Sequence, residues 1–165
     1  MERSYVVASP EKCTGCRICE LICSAVKEGK FNPLLSRIKT VRIVEAEAVG
    51  NMALACKLCE NPPCVESCPL EALTKDPSTG IIIVDDEKCT GCGLCIDACD
   101  IGALTLHPDR KVVVVCDLCG GDPACIKACP KEALELTNLE ALSARSQEKE
   151  LIKLLVNNVK KPRLR

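Results

Sequence analysis

The chain has 165 residues, enough for one or two small domains. Aromatic residues make up 1% of it, Tyr5 and Phe31 alone with no Trp, so the usual large core-filling side chains are missing. A net charge of −1 excludes a general polyanion-binding role, and nucleic acid is not an expected partner.

In chain order, residues 5–8 predict a short strand that leads through Pro10 into Cys13, Cys16, Cys19 and Cys23, spaced Cys-x2-Cys-x2-Cys-x3-Cys. Residues 25–29 predict the end of a short helix, and Asn32-Pro33 a turn. Residues 37–44 are β-branched and predict a strand, which Gly50-Asn51 turns back into a second strand over 52–55. That strand delivers Cys56, Cys59, Cys64 and Cys68, whose second gap is four residues wide. The third quartet, Cys89, Cys92, Cys95 and Cys99, repeats the first spacing, and its last cysteine is expected at the start of a helix. The fourth, Cys116, Cys119, Cys125 and Cys129, widens the second gap to five. The four quartets use all 16 cysteines.

The segments between them repeat as well. Pro69-Leu70-Glu71-Ala72-Leu73, Asp100-Ile101-Gly102-Ala103-Leu104 and Pro130-Lys131-Glu132-Ala133-Leu134 each follow the last cysteine of a quartet and predict one helical turn ending in Ala-Leu. Pro69 and Pro130 suit the first turn of a helix, where no N–H is needed. Strands follow over 81–84 and 112–115. Gly15 and Gly91, in the Cys-Thr-Gly-Cys loops, let the backbone approach a bound group and turn N–H groups toward it. His107 precedes Pro108 and reads as a solvated turn residue. Thr137 and Glu140 fit a capping box, opening an amphipathic helix to about residue 159 ahead of a basic tail.

The first and third quartets have the spacing by which bacterial-type ferredoxins hold a [4Fe–4S] cluster. Cysteines two residues apart on a tight loop are poorly placed to bridge each other, which argues against disulfides. Structural zinc pairs two cysteines of one knuckle with two distant ligands, leaving no tetrahedral use for a third at the next step. Met1 to Lys12 has neither an apolar signal core nor a twin arginine, so a cytoplasmic setting is expected, in which cysteines serve metal. No run approaches a membrane span, so no direct membrane insertion is expected. The carboxylates form no Ser/His/Asp or metal-carboxylate arrangement, and no catalytic site is expected.

With these motifs, residues 10 to about 136 resemble the four-cluster ferredoxin-type subunits of multisubunit oxidoreductases. These include the iron–sulfur subunits of dimethyl sulfoxide reductase, formate dehydrogenase, hydrogenase and carbon monoxide dehydrogenase systems. Residues 56–64 and 116–125 match the family's second and fourth motifs, and residues 32–38 look most like the small subunits accompanying tungsten aldehyde oxidoreductases. The resemblance implies four [4Fe–4S] clusters in an α+β fold of two fused dicluster units with a C-terminal helix. It divides the sequence into an outer unit (1–30 with 100–136), a hairpin insertion (31–50), an inner unit (51–99) and a C-terminal helix with basic tail (137–165).

The resemblance further implies that paired motifs exchange their last cysteines. Cluster one then takes Cys13, Cys16, Cys19 and Cys129; cluster two takes Cys56, Cys59, Cys64 and Cys99. Cluster three takes Cys89, Cys92, Cys95 and Cys68; cluster four takes Cys116, Cys119, Cys125 and Cys23. Spacing alone leaves a pairing of quartet one with two and three with four equally open. The implied function is electron transfer as the iron–sulfur subunit of a complex with no catalytic site of its own. It links a catalytic oxidoreductase subunit, of tungsten or molybdenum aldehyde oxidoreductase type, to a soluble acceptor such as ferredoxin. A free-standing polyferredoxin and a purely structural metal scaffold are the alternatives. The expected docking surfaces are residues 30–38, with Arg37 as the charge, and the C-terminal helix, with Leu155 as the apolar residue.

Overall fold

The computed structural model describes residues 4–45, 48–138 and 140–141. The fold is a mixed helix and strand arrangement of short elements, in which each α-helix carries one or two cysteines and the described strands carry none. The chain runs β1 (Tyr5–Ala8), α1 (Ile18–Glu28), a 3-10 turn (Pro33–Leu35), β2 (Lys39–Glu45), β3 (Ala48–Leu54), α2 (Pro63–Glu66), β4 (Leu73–Lys75) and β5 (Ile82–Val84). It continues through α3 (Leu94–Asp97), β6 (Thr105–Leu106), β7 (Val113–Val114), a second 3-10 segment (Leu118–Gly121), α4 (Ala124–Lys127) and β8 (Leu134–Thr137).

Among the described residues the strands form four two-stranded antiparallel ribbons. Three are local hairpins: β2–β3, β4–β5 and β6–β7. The fourth closes the molecule, because β1 pairs with β8 from Tyr5↔Thr137 to Ala8↔Leu134. α1 also packs on α4, so the first quartet lies beside the fourth, while α2 packs on α3.

Two hairpins are copies of one design. In the first, Asp76 Oδ1 accepts the N–H groups of Ser78 and Thr79, and Gly80 N–H closes the loop on Asp76 O at 2.8 Å. In the second, His107 Nδ1 accepts from Asp109 and Arg110, and Lys111 N–H closes on His107 O at 3.0 Å. His107 is therefore not the solvated turn residue expected from sequence: it is 4% exposed and stands in for the aspartate. With Nδ1 accepting twice, the ring proton sits on Nε2, which faces Glu28 Oε2 at 3.5 Å. The approaches to quartets one and three are likewise copies, with Cys13 N–H bonded to Ser9 O and Cys89 N–H bonded to Asp85 O, both at 3.0 Å.

Several expected elements are corrected. The Ala-Leu segments do not end helical turns; they open β4 and β8 and lead into β6. Pro69 and Pro130 follow helices α2 and α4 rather than starting new ones, and Cys99 lies after α3, not at a helix start. The reason is a sharp left-handed residue at the same place in each repeat: Glu71 (φ 50°), Gly102 (φ 62°) and Glu132 (φ 48°). Such a residue ends a helix, and the chain leaves it extended. Gly50 and Asn51 are not a turn but lie inside β3, opposite Ile43 and Arg42, so the hairpin runs to Leu54, past residue 50. Thr137 ends β8 and is buried; the cap is Asn138, whose Oδ1 accepts Ala141 N–H at 2.8 Å. The rest of the expected C-terminal helix, Leu155 included, lies outside the described residues.

The core is aliphatic and sulfur-rich. Ile38, Leu73 and Val113 are at most 2% exposed, and Cys19, Cys23, Cys56, Cys64, Cys95 and Cys125 are buried with them. Each buried Val, Leu or Ile contributes roughly 1.5–3 kcal/mol, but short side chains alone cannot fill the space between four ribbons. The cysteines surround what remains.

Gly91 has φ 69°, and a Cβ there would overlap the backbone carbonyl of Lys111. At Gly15 (φ 70°) the obstruction is the side-chain Oδ1 of Asn51, 2.5 Å from a Cβ, which can swing aside. Gly91→Ala should therefore destabilise the protein more than Gly15→Ala. The left-handed backbone costs each about 1–2 kcal/mol, and only the first adds a backbone overlap. Thermal unfolding of anaerobically prepared protein measures this, and equal losses would contradict it.

Candidate iron–sulfur centres

The four quartets share a local construction. The residue before the second cysteine is left-handed in each: Gly15 (φ 70°), Leu58 (φ 50°), Gly91 (φ 69°) and Leu118 (φ 55°). Glycine takes this conformation freely, whereas in leucine it costs about 1–2 kcal/mol. Leu58 and Leu118 are 3% and 7% exposed, and burying a leucine contributes roughly 1.5–3 kcal/mol, enough to offset the strain. The loop geometry is thus kept by conformational freedom in two quartets and by packing in the other two.

The third cysteine sits on a helix each time: Cys19 on α1, Cys64 on α2, Cys95 on α3 and Cys125 on α4. The fourth follows the short helices, except that α1 is long enough to carry Cys23 as well. Cys68, Cys99 and Cys129 each accept a backbone N–H from four residues on, donated by Ala72 (3.4 Å), Ala103 (3.3 Å) and Ala133 (3.3 Å). These are the alanines of the repeated Ala-Leu segments, whose role as sulfur donors sequence reasoning missed although the repeat itself was the signal. Cys23, inside a continuing helix, accepts instead from Arg37 N–H at 3.3 Å. Cys89 accepts from Val113 N–H at 3.5 Å.

The cysteines meet across motifs. Cys13, Cys16 and Cys19 line one cavity together with Cys129. Cys56, Cys59 and Cys64 line a second with Cys99. Cys89, Cys92 and Cys95 line a third with Cys68. The three cavities are alike in lining, each four cysteines among mostly small and aliphatic side chains, which suits one kind of occupant. In the remaining group the Cys125 thiol is pushed up to about 12, by burial first and then by the neighbouring thiolates of Cys116, Cys23, Cys119 and Cys19. We refer to these groups as rings one to four by the quartet that supplies three members.

Thiols of adjacent rings also feel one another. Burial first, then Cys23 and next Cys56, hold Cys116 up at about 12, which sets ring four beside ring two. Cys95 is raised to about 11 by burial and by thiolates that include Cys64, which sets ring three beside ring two. Cys19 acts on Cys125, which sets ring one beside ring four. With α1 packed on α4 and α2 on α3, these neighbours give the spatial order one, four, two, three. At its ends Cys16 and Cys92 are exposed, whereas Cys59 and Cys119 are half-buried.

The donor set fits clusters rather than single ions. Among the described residues no group of three or more His, Cys, Asp or Glu side chains is placed to hold one metal ion, yet three cavities each gather four cysteines. Backbone N–H groups aimed at those sulfurs offset the negative charge of a thiolate-ligated centre.

A model of the 4Fe–4S dicluster domain matches residues 49–139, more than half of the sequence, and one of a 4Fe–4S binding domain matches residues 10–26. The chain belongs to the 4Fe–4S dicluster family. Two similar proteins are the aliphatic sulfonate oxidoreductase polyferredoxin-like subunit of Pyrococcus furiosus and the thiosulfate reductase electron transfer subunit of Salmonella typhi. The first is 41% identical over 128 residues, covering 78% of this protein and 72% of its own length. The second is 34% identical over 155 residues, covering 85% and 79%. A component of the anaerobic dimethyl sulfoxide reductase of Haemophilus influenzae is 28% identical over 164 residues, covering 86% and 77%. For a dicluster-family protein, the 16 cysteines suit four [4Fe–4S] clusters. No helix among the described residues is long and apolar enough to cross a membrane.

Thiols raised to about 11 at Cys56 and Cys95 and about 12 at Cys116 and Cys125 are protonated whenever metal leaves. Release therefore takes up protons, and acid drives it. Loss of a centre also frees its inorganic sulfide, which takes up protons of its own, so stepwise anaerobic acidification should bleach the visible absorbance with proton uptake exceeding that of the released sulfide by more than one proton per centre lost. Uptake accounted for by sulfide alone would contradict this.

Proposed function

We propose that the chain is the electron-transfer subunit of an oxidoreductase complex, built as two fused dicluster units. One unit contains rings one and four, the other rings two and three. In this reading Cys13, Cys16, Cys19 and Cys129 hold one cluster, and Cys23, Cys116, Cys119 and Cys125 hold its neighbour. Cys56, Cys59, Cys64 and Cys99 hold the third, and Cys68, Cys89, Cys92 and Cys95 the fourth. When bound, the clusters supply one-electron oxidation and reduction. The residues hold them in line, bury the inner two, and direct N–H groups at the ligand sulfurs.

The observation that carries the proposal is the linear order of the rings with an exposed cysteine at each end. A line with two open ends serves transfer between two partners, one at each end. The names of the similar proteins, which include a thiosulfate reductase electron transfer subunit, support a catalytic subunit as one partner. A soluble ferredoxin-like acceptor is the other in this reading. A tungsten- or molybdenum-type aldehyde oxidoreductase is the proposed class of catalytic subunit.

The two ends differ chemically. Around Cys92 the side chains of Leu70, Leu94 and Leu106 are 46%, 49% and 41% exposed. Leu70 and Leu94 line the ring-three cavity, and Leu106 reaches Gly91 in its loop. Around Cys16 the exposed residues include Lys12, Arg17 and Lys131. An apolar collar with a polar surround is the composition of a protein interface centre. Leu94→Glu should leave the iron content intact and slow electron exchange with the native partner at least tenfold, with weaker co-purification. Stopped-flow reduction alongside anaerobic pull-down measures both. Unchanged exchange in this variant would move the docking site elsewhere, and the absence of any partner in native pull-downs would favour a free-standing polyferredoxin.

A further inference from the structure

Arg37 follows the first 3-10 turn and precedes β2, in the stretch the sequence suggested as a docking surface. Its side chain is only 18% exposed, so it is not a free surface charge. Its backbone N–H donates to Cys23 Sγ at 3.3 Å. Its guanidinium reaches Glu28 Oε1 at 3.3 Å and Asp117 Oδ2 at 3.6 Å. Asp117 follows Cys116 in sequence, and its Oδ1 accepts the N–H of Cys119 at 3.2 Å. Arg37 thus touches one sulfur of ring four directly and is tied to the backbone of two more ligands through Asp117.

Ion pairing alone does not account for it. Glu28 already has Arg110 at 3.2 Å and His107 at 3.5 Å, and Asp117 already has Lys27 at 2.6 Å. Either carboxylate would keep a cation without Arg37. Arg37 Nε is also one of two buried side-chain polar atoms without a partner among the described residues, the other being Thr105 Oγ1. A desolvated guanidinium with an unsatisfied donor is costly unless it faces negative charge. Ring four, whose Cys23 sulfur accepts the Arg37 backbone N–H at 3.3 Å, adds such charge beside it when its thiolates hold a centre.

We propose that Arg37 tunes ring four, holding the reduction potential of the centre there above what the cysteines alone would set. The inference rests on the proposed ligand set of Cys23, Cys116, Cys119 and Cys125. One-electron reduction adds one negative charge to the ring, taken from the reductant, and no proton or bond changes place. Arg37 stabilises that added charge through its cationic guanidinium. Because ring four lies inside the line, no docked partner supplies this charge.

The test is an anaerobic redox titration of the loaded full-length protein followed by electron paramagnetic resonance. Arg37→Gln should lower one midpoint potential by at least a tenfold change in its reduction equilibrium, about 59 mV for one electron, with the others unmoved. Arg37→Lys should keep most of the native value. Asp117→Asn, which keeps the oxygen that accepts Cys119 N–H, should shift the same midpoint upward. Full iron content with every midpoint unmoved in Arg37→Gln would overturn the proposal, as would a loss of thermal stability alone. If Arg37→Gln fails to retain iron, Asp117→Asn decides, and unmoved midpoints there overturn it equally. Wild-type iron clearly below about sixteen per molecule would instead overturn the ligand set and this inference with it.

Discussion

In the proposed ligand set each ring is completed by a cysteine from a different quartet, and the fold is arranged around that requirement. Three sulfurs on one tight loop leave the fourth position to be filled from elsewhere. Cys129 reaches the first quartet only because β8 is paired to β1, and Cys23 reaches the fourth only because α1 lies against α4. The polypeptide therefore folds back on itself, with the middle quartets exchanging Cys68 and Cys99 inside the outer exchange. The ribbons are short because their task is to return the backbone to the next ring, not to build a sheet.

The same requirement explains a core without large aromatics. Of the two aromatic residues, Tyr5 is half-buried and packs against the edge of the core, and Phe31 is 73% exposed. The interior is made of Val, Ile, Leu and Ala around sulfur, with the volume of each ring left for a bound group. In such a protein metal binding supplies folding free energy directly, because no preformed site survives in the unfolded state. Charged residues then link the rings from outside the sulfur shell: Glu28 gathers Arg37, Arg110 and His107, and Arg110 reaches on to Asp86.

Much of this is legible in the sequence alone. The spacing of the cysteines carries the motif content, and the strands at 5–8, 82–84 and 113–114 are visible within β-branched runs, the last two one residue or more shorter than expected. What periodicity does not reveal is β4, β6 and β8, because two to four residues after a left-handed turn have no periodic signature of their own. Glu71 and Glu132 occupy a conformation in which glycine is the ordinary expectation, as the equivalent Gly102 does. His107 resembles a surface turn residue because a lone histidine before proline has that look; only its likeness to Asp76 in the sister hairpin shows it as a buried cap. Arg37 stands out in the sequence for its charge, but one of the carboxylates that bury it, Asp117, lies far along the chain and is beyond local reading.

The measurement that bears most directly on the crossed rings is a crystal structure of the anaerobically purified protein, read at the iron–sulfur bonds. The account predicts Cys129 Sγ bonded to the cluster that also holds Cys13, Cys16 and Cys19, with Cys23 in the cluster of Cys116, Cys119 and Cys125. Cys129 bonded instead to the cluster of Cys89, Cys92 and Cys95 would contradict it.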